Sequence, residues 1–129
     1  MQKQAKRILV AVEDLFFTIK ITEAAKRAGV LVEFVKTDKD LLEKAQSLPA
    51  LIIFDLNFSA IQPLKIIGKL KGNPETKSIS LMGYLSQAQG ELKQKAHESG
   101  CNMVLARSAF SQNLPQILKR HAGTAWDKL

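Results

Sequence analysis

The stretch Leu51-Ile52-Ile53-Phe54-Asp55 sets four apolar residues in a row and stops on an acid. A run this short, with no polar residue on alternate positions, reads as a strand buried on both faces, because a half-exposed strand would alternate. Working outward, Ile8-Leu9-Val10-Ala11-Val12 repeats the pattern and ends on Glu13-Asp14. Three weaker segments, residues 31–35, 79–84 and 102–106, are similarly short and similarly placed. Four segments with the three- and four-residue spacing of helices separate these five strand candidates, and a further such segment follows the fifth.

Leu15, Ile19, Ala25 and Ala28 mark the first helix, which Gly29 should stop. Leu41, Leu42 and Ala45 mark the second, opened by a Thr37/Asp40 capping box. Leu64, Ile67 and Leu70 mark a third that ends at Gly72, with Asn73-Pro74 forming the turn beyond it. Ser86 and Gln89 cap a fourth, running through Leu92 and Ala96 to Gly100. A fifth is expected to begin near Ser111, with Pro115 in its first turn, and to run through Ile117 and Leu118 to Gly123. Strict alternation of five strands and five helices implies right-handed crossovers, hence a doubly wound parallel sheet of class α/β covered on both sides. With no linker and no repeat, the expectation is a single domain over residues 1–129, its core in 7–121 and tails at 1–6 and 122–129.

The chain has 129 residues, 46% of them hydrophobic, with one Cys and a formal charge of +7. One cysteine cannot pair within the chain, which excludes a disulfide scaffold. No apolar run approaches the length of about 18 residues that a membrane span needs, and the expected location is the cytoplasm. The charge is uneven: residues 1–59 carry nine basic and eight acidic groups, residues 60–129 ten and four. Lys65, Lys69, Lys71 and Lys77 are spread over helix and loop without interleaved aromatics, so a solvated face is expected in place of a nucleic-acid site.

In a doubly wound sheet, ligand chemistry gathers just beyond the carboxyl ends of the strands. Those positions hold Glu13 and Asp14 after the first strand, Asp55 after the third, Leu85 and Ser86 after the fourth, and Arg107 and Ser108 after the fifth. Over residues 7–121 this layout resembles the receiver domain of two-component response regulators, of the CheY-like kind. The resemblance implies a five-stranded flavodoxin-like three-layer sandwich with strand order 2-1-3-4-5. It implies that Asp55 is the position of the phosphoacceptor and that Glu13, Asp14 and Asp55 mark the Mg²⁺ site. It puts Arg107 at the position of an invariant lysine and Leu85 at that of a switch hydroxyl, with Ser86 one residue beyond.

Several of these positions depart from the family pattern. Val12 stands where the first of two acids belongs, which removes an oxygen ligand from an ion that wants several. Arg107 keeps the charge but replaces a compact ammonium by a planar fork, and Leu85 offers no hydroxyl to a phosphoryl group. Asp55 is therefore expected to pair with Arg107, and Asp14 to cap a helix. His97 and His121 read as surface residues, Cys101 as a small buried hydrophobe, and one of Phe16 and Phe17 as facing the site rim.

The expectation is a stand-alone pseudo-receiver that works by protein–protein contact. It would not be an enzyme and would need no cofactor, with Mg²⁺ binding weakened. The alternative is a functional single-domain response regulator phosphorylated on Asp55 by a histidine kinase. A small enzyme or nucleotide-binding protein would need more glycines in the strand-end loops. By the same resemblance the partner is a histidine kinase or output protein. A homodimer would form through the face of the fourth helix, fifth strand and fifth helix (α4-β5-α5), and Phe110, Leu114 and Lys119 are the surface candidates; the alternative for Phe110 and Leu114 is that they close the core. Neither nucleic acid nor membrane is expected as a partner.

Overall fold

Residues 7–85 and 90–122 are described by a computed structural model. The elements are β1 (Arg7–Ala11), α1 (Leu15–Ala28), β2 (Leu31–Phe34), α2 (Asp38–Ala45), β3 (Leu51–Asp55), a 3₁₀ turn (Ser59–Ile61), α3 (Pro63–Gly72), β4 (Ser80–Leu85), α4 (Gly90–Ser99), β5 (Met103–Ala106) and α5 (Arg107–Ala122). The five strands form one sheet in the order β2-β1-β3-β4-β5, with every neighbouring pair parallel. This is the expected doubly wound order. The expected caps Ser86 and Gln89, the stop at Gly123 and, apart from Ala122, the expected tails lie outside the described residues.

Every residue of β3 is buried, and β1 is buried from Ile8 onward, because helices cover both faces of the sheet. Leu9, Ala11, Ile52 and Phe54 face one side, where they meet Leu41 of α2, Ile66, Ile67 and Leu70 of α3 and Ala96 of α4. Ile8, Val10, Ile53, Met82 and Tyr84 face the other, where they meet Phe17 and Ile21 of α1 and Phe110, Leu114 and Leu118 of α5. Among the described residues no helix is long and apolar enough to cross a membrane.

Local chemistry explains the ends of the helices. Asp14 caps α1, its Oδ1 accepting the Phe16 N–H at 2.8 Å, and Gly29 ends it with φ 71°, which a glycine adopts without steric cost. Thr37 caps α2 by accepting the Asp40 N–H at 3.1 Å, one half of the expected box. Pro63 opens α3 at a position where its missing N–H would be unpaired anyway.

Two expectations are corrected. Leu15 and Ile19 do not face the core: they are 71% and 53% exposed, while Phe17, Ile21 and Ala25 are buried. The segment carries two overlapping apolar stripes, and the sheet selects the one whose Phe17 fits beside Tyr84 and Phe110. Helix α5 starts at Arg107, directly from β5, so Pro115 lies inside it and not in its first turn. A proline there has no N–H for the Ser111 carbonyl, four residues back.

Gly83 of β4 pairs with Phe54 in the sheet, and an added Cβ would lie 2.8 Å from Leu56 Cγ. Leu56 follows Asp55 and is itself 4% exposed, so it has little room to retreat. Gly83→Ala should therefore cost about 1–3 kcal/mol of stability, seen as a lower urea midpoint. An unchanged midpoint would mean that the Leu56 side chain moves freely.

Candidate functional site

The strand ends bring Glu13, Asp14, Asp55 and Arg107 to one edge of the sheet. Asp55, the last residue of β3, is 6% exposed, and its Oδ1 accepts the Asn57 N–H at 2.9 Å. Burial raises its pKa, and the negative charges of Asp14 and Glu13 push the same way, against the Asn57 hydrogen bond and the attraction of Arg107. Among the described residues no lysine or arginine forms an ion pair with Asp55.

Arg107 instead donates from Nη1 to Asp14 Oδ2 at 2.9 Å. Its guanidinium carbon lies 4.6 Å from the Phe17 ring centroid and 5.7 Å from that of Phe16. This corrects the expected Asp55–Arg107 pair. A planar guanidinium stacks on an aromatic face in a way a compact ammonium does not, and Asp14, at the start of the same helix, stands ready to accept from it. For Asp14, burial pushes the pKa upward, but the Arg107 hydrogen bond, the Phe16 N–H and the charge of Arg107 together outweigh it and hold the carboxyl below its ordinary value.

Beneath Arg107 lies a cluster of rings. Phe17 meets Tyr84 at 4.9 Å and Phe110 at 5.4 Å between centroids, and Tyr84 stacks on Phe110 at 4.6 Å with planes 10° apart. The Tyr84 hydroxyl is buried and has no hydrogen-bond partner among the described residues. Burial first, then the charges of Asp55 and Asp14, push its pKa far up and keep it protonated. The sequence reading missed Tyr84. Its place two residues after Met82 in a strand, on the same face, is the signal that could have paired it with α5.

No family model matches this sequence, and no curated protein does. Solved structures do match it. A putative response regulator from Chloroflexus aurantiacus superposes with a TM-score of 0.79 at 20% identity, covering 91% of this chain and 97% of that one. The chemotaxis response regulator CheY4 of Vibrio cholerae gives 0.76 at 19%, covering 91% and 98%. The phosphorylated cyanobacterial phytochrome response regulator RcpA gives 0.76 at 19%, covering 91% of both chains. This chain has the fold of a response-regulator receiver domain.

On the receiver fold the strand-end residues can be tested as a magnesium site. Asp14 has one oxygen on the Phe16 N–H and the other on Arg107. Val12 is fully buried and apolar, and Glu13 is exposed. No group of three ligating side chains that could hold a metal occurs among the described residues. The residues present do not fit a hard divalent cation, which needs several free oxygens around one point. Leu85, the residue expected at the switch position, is 6% exposed and apolar, and Ser86 lies outside the described residues.

The surface candidates divide. Phe110 and Leu114 are fully buried in the core under α5, which corrects their expected place at a partner surface, whereas Lys119 is exposed. The cause is the early start of α5: a helix beginning at Arg107 turns both residues toward the sheet. Cys101 is buried as expected, and Phe16 is exposed while Phe17 is not.

Asp55 accounts for a pH-dependent share of stability. Its folded-state pKa lies above the ordinary 3.8, so the folded chain takes up the proton first as pH falls. The contribution is fully present below the unfolded value and is lost as pH rises through the raised one. Asp55→Asn should therefore be more stable than the parent at pH 7, with the gain shrinking toward pH 3.8. Urea midpoints across that range check it, and a constant or inverted difference contradicts it.

Proposed function

We propose that this chain is a signalling module that acts by protein–protein contact, with the aspartyl-phosphate chemistry of the receiver fold disabled. One observation carries this reading: Arg107, the cation expected beside the acceptor position, is held by Asp14 and by the face of Phe17. Phosphoryl transfer to Asp55 needs positive charge around the oxygens of the moving group. The residues at this site give a metal no free oxygen cage, and the side chain at the switch position is apolar.

Contact with a protein is the use of the fold that remains, and exposed apolar surface beside the acids supports it. Leu15, Phe16 and Ile19 of α1 are 71%, 56% and 53% exposed, a grouping that an isolated surface residue does not explain. The partner is a histidine kinase or an output protein of a two-component pathway. The two buried residues, Phe110 and Leu114, remove the apolar anchors once expected on the α4-β5-α5 face, so a dimer through that face draws no support from them. The chain performs no turnover of its own in this reading.

The test is an amide NMR spectrum of the full chain with beryllofluoride and millimolar Mg²⁺, a mimic of the phosphorylated aspartate. Signals of Asp55, Asn57 and Leu85 should stay where they are. Shifts in those signals that Asp55→Asn abolishes would instead establish the working, phosphorylated regulator.

A further inference from the structure

Helices α1 and α5 pack side by side on one face of the sheet, and a groove of about 220 Å³ runs between them. It exists because the side chains that could fill it are small. Ala24 and Ala28, one turn apart on α1, face Pro115 of α5 above the buried Leu114. The rims carry Lys20, Arg27 and Lys119 against a single carboxylate, Glu23. Both helices return against parallel strands, so Arg27 and Lys119 stand at the same end and Lys20 at the other. Lys20 and Arg27 are about 10 Å apart along the helix axis at the usual rise per residue.

The walls decide the form of a visitor. They are the sides of helices, whose N–H and C=O groups are already paired within the helix. An extended peptide would find no ladder to join and would leave its own backbone unpaired. A helix brings its backbone already satisfied. One departure in the wall is that Pro115 offers no N–H to the Ser111 carbonyl, and a single oxygen could not align a strand.

We propose that the α1–α5 groove is a docking site for an acidic amphipathic helix of a partner protein. Its small or apolar face would lie over Ala24, Ala28 and Pro115. Two carboxylates about seven residues apart would meet Lys20 at one end and Arg27 with Lys119 at the other. The three-to-one excess of cations on the rims is the complementarity that selects an acidic partner over a neutral or basic one. This goes beyond the functional reading above and does not depend on whether Asp55 accepts phosphate.

A display library of helical peptides of about four turns, selected on the full chain, tests it. Enriched peptides should carry an acidic pair at that spacing. Lys20→Glu/Arg27→Glu/Lys119→Glu should weaken a selected peptide about tenfold, and a version with lysines in place of its acids should prefer that variant to the parent. Ala24→Gln, which fills the groove without changing charge, should also weaken it. Circular dichroism establishes that both variants fold, since all four positions lie outside the fully buried core. No enrichment, peptides without acids, or binding indifferent to the variants would overturn the proposal. So would a dimer in sedimentation that the same three reversals dissociate, because the groove would then hold a second copy of the chain.

Discussion

The Arg107 guanidinium donates to Asp14 at 2.9 Å while lying over the Phe17 ring, and both contacts draw it to the α1 side of the sheet edge. Three elements meet there: the start of α5, the cap of α1 and the ring cluster that joins both helices to β4. The pair is partly exposed, with 41% and 29% of the two side chains open to solvent. Its Coulombic share is accordingly modest. Its consequence for the site is larger, because Arg107 makes its ion pair with Asp14 and acts on Asp55 only through its charge.

The ring cluster supplies the reason the cation rests where it does. Phe17, Tyr84 and Phe110 fill the space between α1, α5 and the sheet, and Phe17 turns a face toward the strand ends. Tyr84 in that cluster buries a hydroxyl without a partner among the described residues, which costs free energy unless other interactions offset it. The contacts among three aromatic rings, each pair adding about 0.5–1.5 kcal/mol beyond area burial, are such an offset. Site and core are thus continuous on this side of the sheet. On the other side the core is aliphatic apart from Phe54 and Phe58, and Leu56 packs against the Gly83 backbone.

Much of the fold was legible in residue order. Short apolar runs ending in acids located β1 and β3, Gly29 and Gly72 located helix ends, and the alternation of elements led to a doubly wound sheet. The cap role of Asp14 could also be read, and so could the division of Phe16 and Phe17 between core and rim, though not which of the two turns inward. Helix phase was less legible, since α1 carries two apolar stripes and only one can face the sheet. The start of α5 was obscured by Pro115, which favours the first turn of a helix but is accommodated here further in. The partner of Arg107 was misread because Asp14 and Asp55 both follow strands that end at the same edge.

The sequence by itself determined which segments become strands and helices, the parallel sense of the sheet and the set of polar residues that collect at its carboxyl edge. These follow from local periodicity, from caps and from the handedness of crossovers, all of which act along the chain. Tertiary structure decided which acid Arg107 meets, which face of α1 is left to solvent, and that small residues on α1 and α5 open a groove. Those outcomes depend on side chains from distant segments competing for the same space and the same charge, and such competition exists only once the helices have packed on the sheet.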